Sequence, residues 1–137
     1  MAYVIDEGSV FDAPIDRIWK YLSSQDHRHP SATSPSREQK DNVVTLSNER
    51  ELNGKKMRFK VRLTLFPPVG YVQEFLEGPL AGSKAFQYYL PKGDKTGVTV
   101  IGEYKMQGAE DAAVREAVMK MLETSFNEDN ENLKSMK

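Results

Sequence analysis

The 137-residue chain contains no cysteine, which excludes disulfides and thiolate metal sites and fits a reducing compartment. No stretch approaches the roughly 20 apolar residues that a membrane-spanning helix needs. The first residues also lack the basic and apolar regions of a signal peptide. We therefore expect one domain over residues 1–137, located in the cytoplasm and without membrane insertion.

The charge is nearly balanced, because 19 Lys and Arg stand against 20 Asp and Glu, a net charge of −1. A chain of this kind has no bulk charge to attract nucleic acid. One basic stripe does occur, at Lys56, Arg58, Lys60 and Arg62. Two of these four face glutamates in the register derived below, and no aromatic residue is interleaved. We expect a solvated sheet face and no nucleic-acid partner.

Three familiar catalytic and binding motifs are missing. The sequence has no phosphate-binding G-x-x-x-x-G-K-[ST] loop, no G-x-S-x-G nucleophile elbow and no Cys/His metal pattern.

The clearest long element is a helix at the end of the chain. Apolar residues recur at three- and four-residue steps from Ala113 to Phe126, which predicts an amphipathic helix from Ala109 to about Met136. Its first turn is acidic and its last turns carry lysine, which suits the helix dipole. At about 1.5 Å per residue the helix would be roughly 40 Å long, enough to cross a small domain. We expect the rest of the chain to form the surface on which it lies.

The preceding residues predict one strand, a helical region and five further strands. A first strand is predicted over Tyr3 to Phe11, with Tyr3, Ile5 and Phe11 on one face. Pro14 suits the first turn of a helix. Residues 23–42 carry two prolines and few apolar residues, which predicts a short second helix followed by a loop, or a loop throughout. The other strands flank residues 53–54 and cover 71–77, 83–90 and 98–106.

A hairpin at Asn53-Gly54 gives the register of the sheet, because this dipeptide is typical of a two-residue type I′ turn. The turn pairs Glu51 with Lys56 and Glu49 with Arg58, so opposite charges meet across the strands. The other face then carries the cavity or core side chains: Met57, Phe59, Val61 and Leu63, opposite Arg50, Asn48, Leu46 and Val44.

Two short motifs accompany this order of elements. Residues 10–19 read Val-Phe-Asp-Ala-Pro-Ile-Asp-Arg-Ile-Trp, and residues 76–80 read Leu-Glu-Gly-Pro-Leu. The first is similar to the strand-to-helix junction of the START-like (SRPBCC, Bet v 1-like) proteins, and the second resembles their polyketide cyclase and coenzyme Q-binding branch. The resemblance implies an α+β helix-grip fold, in which a curved antiparallel sheet wraps a long C-terminal helix around a hydrophobic cavity. Members include lipid carriers, hormone receptors, aromatase/cyclases, ring-hydroxylase subunits and a ribosome-associating toxin, so the fold leaves the activity open.

The candidate site is the cavity that this fold implies. We expect it to be lined by Trp19, Asn48, Arg50, Met57, Phe59, Val61, Phe75, Phe86, Tyr88, Tyr104, Val118, Met121, Leu122, Ser125 and Phe126. Arg50 could hold a ligand carboxylate or phosphate, or it could bend into water, since lone arginines rarely stay buried. Trp19 and the other apolar side chains could equally be ordinary core.

The two histidines, His27 and His29, flank Arg28 after the first helix. Such a pair could bind a metal or act as acid and base near neutral pH. A metal would need a third ligand, which only a carboxylate could supply in this chain. We expect instead a solvated loop, with no metal and no cofactor.

Three functions remain open. The leading hypothesis is a non-catalytic module that binds a small hydrophobic molecule between the C-terminal helix and the sheet. An enzyme of cyclase or hydrolase type, acting on such a ligand through Tyr88, Tyr104, Arg50 or a histidine, is the second. The third is a protein-interaction regulator with a filled core. We expect a monomer or a weak homodimer.

Overall fold

The computed structural model describes residues 1–24, 27–52 and 54–136, with residue 34 described by its backbone alone. The elements follow in the order β1 (Ala2–Phe11), α1 (Ile15–Leu22), β2 (Ala32–Lys40), β3 (Val43–Leu52), β4 (Lys55–Phe66), β5 (Gly70–Glu77), β6 (Lys84–Lys92), β7 (Lys95–Tyr104) and α2 (Asp111–Ser135). The strands form one curled antiparallel sheet in the order β1-β7-β6-β5-β4-β3-β2, and α2 packs on its inner face. The predicted α+β helix-grip fold is confirmed.

One predicted element is wrong. Residues 32–40 form the edge strand β2, where the sequence predicted a helix or a loop. Lys40 pairs with Val43, and the register shifts between Thr33 and Ser36, around Pro35. An edge strand tolerates a proline at such an irregularity because its outer N–H groups need no partner. The exposed polar residues of this edge leave no alternating apolar pattern in the sequence, so six strands follow α1 instead of five.

The hairpin register is confirmed. Glu49 lies opposite Arg58 and Glu51 opposite Lys56, and the Glu49 and Arg58 side chains approach to 3.9 Å. Gly54 has the positive φ, 79°, that a tight turn requires. Asn53, the other residue of the predicted turn, lies outside the described residues. Because the register is as predicted, Phe59 and Val61 are buried on the inner face.

Strand β1 changes its alternation halfway along. The register shifts between Asp6 and Ser9, with Gly8 at a φ of 91°. Such a bulge adds one residue and reverses which side chains face inward. Phe11 is therefore buried while Tyr3 and Ile5 are exposed, so the prediction that these three share one face is wrong.

Two apolar clusters hold α2 and α1 against the sheet. Val114, Ala117 and Val118 of α2 pack against sheet residues that include Phe59 and Tyr104. The second cluster joins α1 to the end of α2 and contains Phe11, Ile18, Tyr21, Tyr89 and Leu133. No helix formed by the described residues combines the length and the apolar character needed to cross a membrane.

Candidate functional site

Two adjoining cavities open on the concave side of the sheet. The outer cavity, about 700 Å³, lies between α1, residues 27–30 and strands β2 to β4. The inner cavity, about 160 Å³, lies between α2 and the sheet. The residues that line both are Leu22, His27, His29, Leu46, Asn48, Leu63 and Tyr71. The two cavities therefore adjoin, and the inner one reaches the face of α2.

Trp19 lines the outer cavity next to the β4–β5 connection. Its indole Nε1–H donates to the carbonyl oxygen of Pro68 over 2.8 Å, which ties α1 to the β4–β5 connection. The ring also meets Tyr89 edge-on, with centroids 5.7 Å apart. Trp19 therefore packs against Tyr89 and also lines the outer cavity.

Nine of the predicted lining residues do surround the inner cavity: Asn48, Arg50, Phe59, Val61, Phe75, Met121, Leu122, Ser125 and Phe126. Three more, Met57, Tyr104 and Val118, belong to the apolar cluster beside it, and burial raises the pKa of Tyr104 to about 12. Among the described residues that line the larger, outer cavity, none belongs to α2. The space between α2 and the sheet therefore comprises the inner cavity and another of about 270 Å³, which Arg50 and Met121 help to line, whereas the outer cavity lies away from α2.

Phe86 and Tyr88 were predicted to line the cavity, and this is wrong. They lie on the outer face of β6, 44% and 42% exposed, with their rings stacked 6.0 Å apart and 7° from parallel. Strand β6 carries aromatic residues on both faces, so alternation alone did not decide which face points inward. Tyr89, on the opposite face, lines the inner cavity instead.

Arg50 points inward. Its guanidinium Nη2 donates to the Ser125 hydroxyl over 2.7 Å and to the Ser31 hydroxyl over 3.2 Å, and lies 3.8 Å from a Glu128 carboxylate oxygen. Ser31 in turn donates both its backbone N–H and its hydroxyl to Glu128. Only 17% of the Arg50 side chain is exposed. The alternative in which this arginine bends into water is wrong.

The two histidines do not form a solvated loop, which corrects the prediction. Their side chains are partly buried against Asp129 of α2. The Nε2 atoms of His27 and His29 lie 3.3 Å apart, and the Asp129 oxygen Oδ1 lies 3.5 Å from the first and 3.3 Å from the second. Tyr21 donates its hydroxyl to the same Asp129 oxygen. These atoms are close enough for His27, His29 and Asp129 to hold a metal ion.

Burial controls the ionisation of this group, which we call the ionisable cluster: His27, His29, Arg50, Glu128 and Asp129. Burial lowers the pKa of both histidines and raises the pKa of Asp129. Burial would also raise the pKa of Glu128, but the hydrogen bonds from Ser31 and the interaction with His29 together outweigh it, and the pKa falls. The lowered pKa values favour neutral imidazoles, the form in which histidine acts as a base or a metal ligand.

Sequence reasoning missed Asp129, although a signal was present. Asp129 follows Ser125 by four residues and Phe126 by three, the spacing that keeps residues on one helical face. Tyr71, which lines both cavities, was also missed. It stands next to Gly70 at the start of β5, where the alternation had too few residues to assign a face.

Known structures share this architecture at low sequence identity. A START superfamily protein from Mycobacterium smegmatis superposes with a TM-score of 0.83 at 13% identity, covering 100% of both chains. A protein from Thermus thermophilus gives 0.79 at 16% identity, covering 97% of each chain. The Zhui aromatase/cyclase from a Streptomyces species gives 0.69 at 16% identity, covering 96% of this chain and 90% of that one.

No protein-family model and no curated protein matches the chain. The structural matches agree with the order of elements in this chain. The chain has the START-like helix-grip fold.

Proposed function

We propose that the protein binds a small, mostly apolar molecule in the outer cavity, with one end of the ligand directed at Asn48 and the ionisable cluster. The observation that carries this proposal is the cavity itself. Its volume of about 700 Å³ falls within the roughly 300–1,000 Å³ of typical ligand sites. Its walls include the apolar side chains Val44, Leu46, Leu63 and Leu65.

Asn48 supports a ligand that carries a hydrogen-bond donor. Its side-chain oxygen Oδ1 is buried and has no hydrogen-bond partner among the described protein groups. Leaving such an atom unpaired costs roughly 1–3 kcal/mol, so a partner group there is favourable. Because Asn48 lines both cavities, a hydroxyl or amide on the inner end of an apolar ligand would satisfy it. A phenol or an alcohol has this chemistry.

The structural relatives add general support. Proteins described as a START superfamily member and as an aromatase/cyclase share the architecture. At this level of identity they support a cavity-forming fold and leave the ligand open.

A cavity-filling pair of variants tests the proposal. Leu63 lines both cavities, whereas Thr64 is the next residue on β4 and faces the other side of the sheet. We expect the wild type to bind a hydrophobic dye and Leu63→Trp to lose at least about tenfold in dye affinity, because the added ring occupies ligand volume. Thr64→Trp should keep the affinity of the wild type.

The measurements are dye fluorescence, thermal melting and native mass spectrometry of protein from its own host. Leu63→Trp should melt within a few degrees of the wild type, because it fills open space without displacing packed atoms. A wild type that binds no dye, combined with a clearly destabilised Leu63→Trp, would show that the space is closed and would refute the proposal.

An enzyme acting on the bound ligand is the second candidate. The observation in its favour is that His27, His29 and Asp129 line the inner cavity, where they could exchange protons with a ligand. Incubating the purified protein with the ligand identified by mass spectrometry separates the two functions. Turnover that His29→Ala abolishes would favour the enzyme, and unchanged ligand would favour the binding module.

A further inference from the structure

We propose that His27, His29 and Asp129 form a binding site for a divalent transition metal, for which Zn²⁺ is the best match. This site stands apart from the proposed function, because it requires no organic ligand. It also goes beyond the sequence, in which the two histidines and the aspartate are separated by about a hundred residues.

The geometry fits a tetrahedral ion. Zinc lies about 2.0–2.1 Å from its nitrogen and oxygen ligands, which puts two ligand atoms of a tetrahedron about 3.3–3.4 Å apart. The three distances among His27 Nε2, His29 Nε2 and Asp129 Oδ1 are 3.3, 3.5 and 3.3 Å. Their common centre lies about 1.9 Å from each atom, so an ion slightly above that plane reaches all three at zinc distances.

The ring protons of the histidines are directed away from this centre. His27 Nδ1 lies 3.2 Å from the Leu22 carbonyl oxygen, which can only accept a hydrogen bond. His29 Nδ1 lies 3.2 Å from the Glu128 carboxylate. A proton on each Nδ1 leaves both Nε2 atoms with a free lone pair, and these atoms lie 3.5 and 3.3 Å from the Asp129 oxygen Oδ1. A cation between the two Nε2 atoms and the Asp129 oxygen would stabilise these three electron-pair donors. Carboxylate and carbonyl partners on Nδ1 are also typical of metal-bound histidine.

The surrounding charge also favours a cation. Arg50 is the positive group of the cluster, and it lies 3.8 Å from Glu128. Arg50 also interacts electrostatically with Asp129, so two carboxylates share one guanidinium within the cluster. Tyr21 donates its hydroxyl to Asp129 as well. That hydroxyl resembles the outer hydrogen bonds that orient carboxylate ligands.

A fourth coordination position faces the cavities. His27 and His29 line both of them, and Asp129 lines the inner one. Three protein ligands with an open position are typical of metals that contact a ligand or a water molecule, whereas structural zinc sites have four protein ligands. The metal would therefore be accessible from the same cavity.

Titration of the tag-free full chain with ZnCl₂ after chelator treatment tests the site. The chain offers no other histidine and no cysteine, so tight zinc binding has one place to occur. Isothermal titration calorimetry should give one ion per chain with micromolar or tighter affinity. His29→Ala and Asp129→Asn should each weaken binding by more than about 100-fold, the upper range found for outer-shell losses. Glu131 is an exposed acid on the same helix, so Glu131→Gln should bind zinc as the wild type does.

A second measurement on the wild type keeps the test valid if a variant fails to fold. In ¹H–¹⁵N spectra of the imidazoles, Zn²⁺ should shift the Nε2 resonances of both histidines and leave both Nδ1 atoms protonated. Binding that is millimolar or weaker, histidine resonances that do not respond, or affinity that survives in folded His29→Ala and Asp129→Asn would each overturn the proposal.

Discussion

Replacing Arg50 with methionine tests whether the inner end of the site depends on a buried charge network. Methionine keeps an unbranched apolar stem and removes the guanidinium. The variant loses the hydrogen bonds to Ser125 and Ser31 and the contact with Glu128. Glu128 and Asp129 then remain partly buried without a neighbouring positive charge.

The expected cost follows from these contacts. Two unit charges 3.8 Å apart attract by about 4 kcal/mol at an effective dielectric constant of about 20. In the wild type the desolvation of Arg50 offsets part of this attraction, and the variant avoids that cost. Against this, the hydrogen bonds made by a charged donor contribute about 1.5–3 kcal/mol. We expect a net loss of about 2–3 kcal/mol in the free energy of unfolding, and a melting temperature lower by roughly 6–10 °C for a chain of this length.

The matched control is Arg62→Met on the next strand. Arg62 makes a bidentate pair with Glu74, at 3.1 and 3.2 Å, but the two side chains are 43% and 40% exposed. Exposed pairs contribute about 0–1 kcal/mol, so this variant should unfold almost as the wild type does. Urea unfolding measures both. Equal, small losses for the two variants would mean that Arg50 reaches solvent and would refute the inward network.

Two further predictions concern the backbone and pH. Gly78 has a φ of 103°, and a Cβ there would lie 2.4 Å from the Arg58 carbonyl oxygen, whereas Gly54, at 79°, has nothing within 4 Å. Gly54→Ala should lower the free energy of unfolding by about 1–2 kcal/mol because of its positive φ alone. Gly78→Ala should lower it by clearly more in the same urea unfolding assay. In the metal-free protein, burial lowers the pKa of both histidines below the ordinary 6.5, so the unfolded chain binds more protons. The resulting stabilisation is complete above about pH 6.5 and is lost as pH falls through the lowered pKa values. Unfolding measured between about pH 7.5 and about 5.5 should show this loss of stability. A folded variant with both histidines replaced by alanine should lose less stability over the same range. The charged groups that face the two rings or contribute to their pKa are Arg37, Arg50, Glu128 and Asp129.

The parts of the fold that the sequence predicted are those in which local patterns agree. The turn dipeptide and the charge pairs independently indicated one hairpin register, and the apolar stripe of α2 extends over several turns. Strand β2 was not predicted because an exposed edge strand does not need alternating apolar residues. The ionisable cluster escaped because it depends on contacts across about a hundred residues, between His29 and α2. Local periodicity carries no information on such distances.

The bridge between Trp19 and Pro68 has a practical consequence. The chain has one tryptophan, and its indole lines the outer cavity while its N–H is held by the Pro68 carbonyl oxygen. A molecule that enters the cavity changes the polarity around this single fluorophore, and no second indole dilutes the signal. The protein therefore carries an intrinsic optical reporter of occupancy, against which candidate ligands can be screened without labelling the chain.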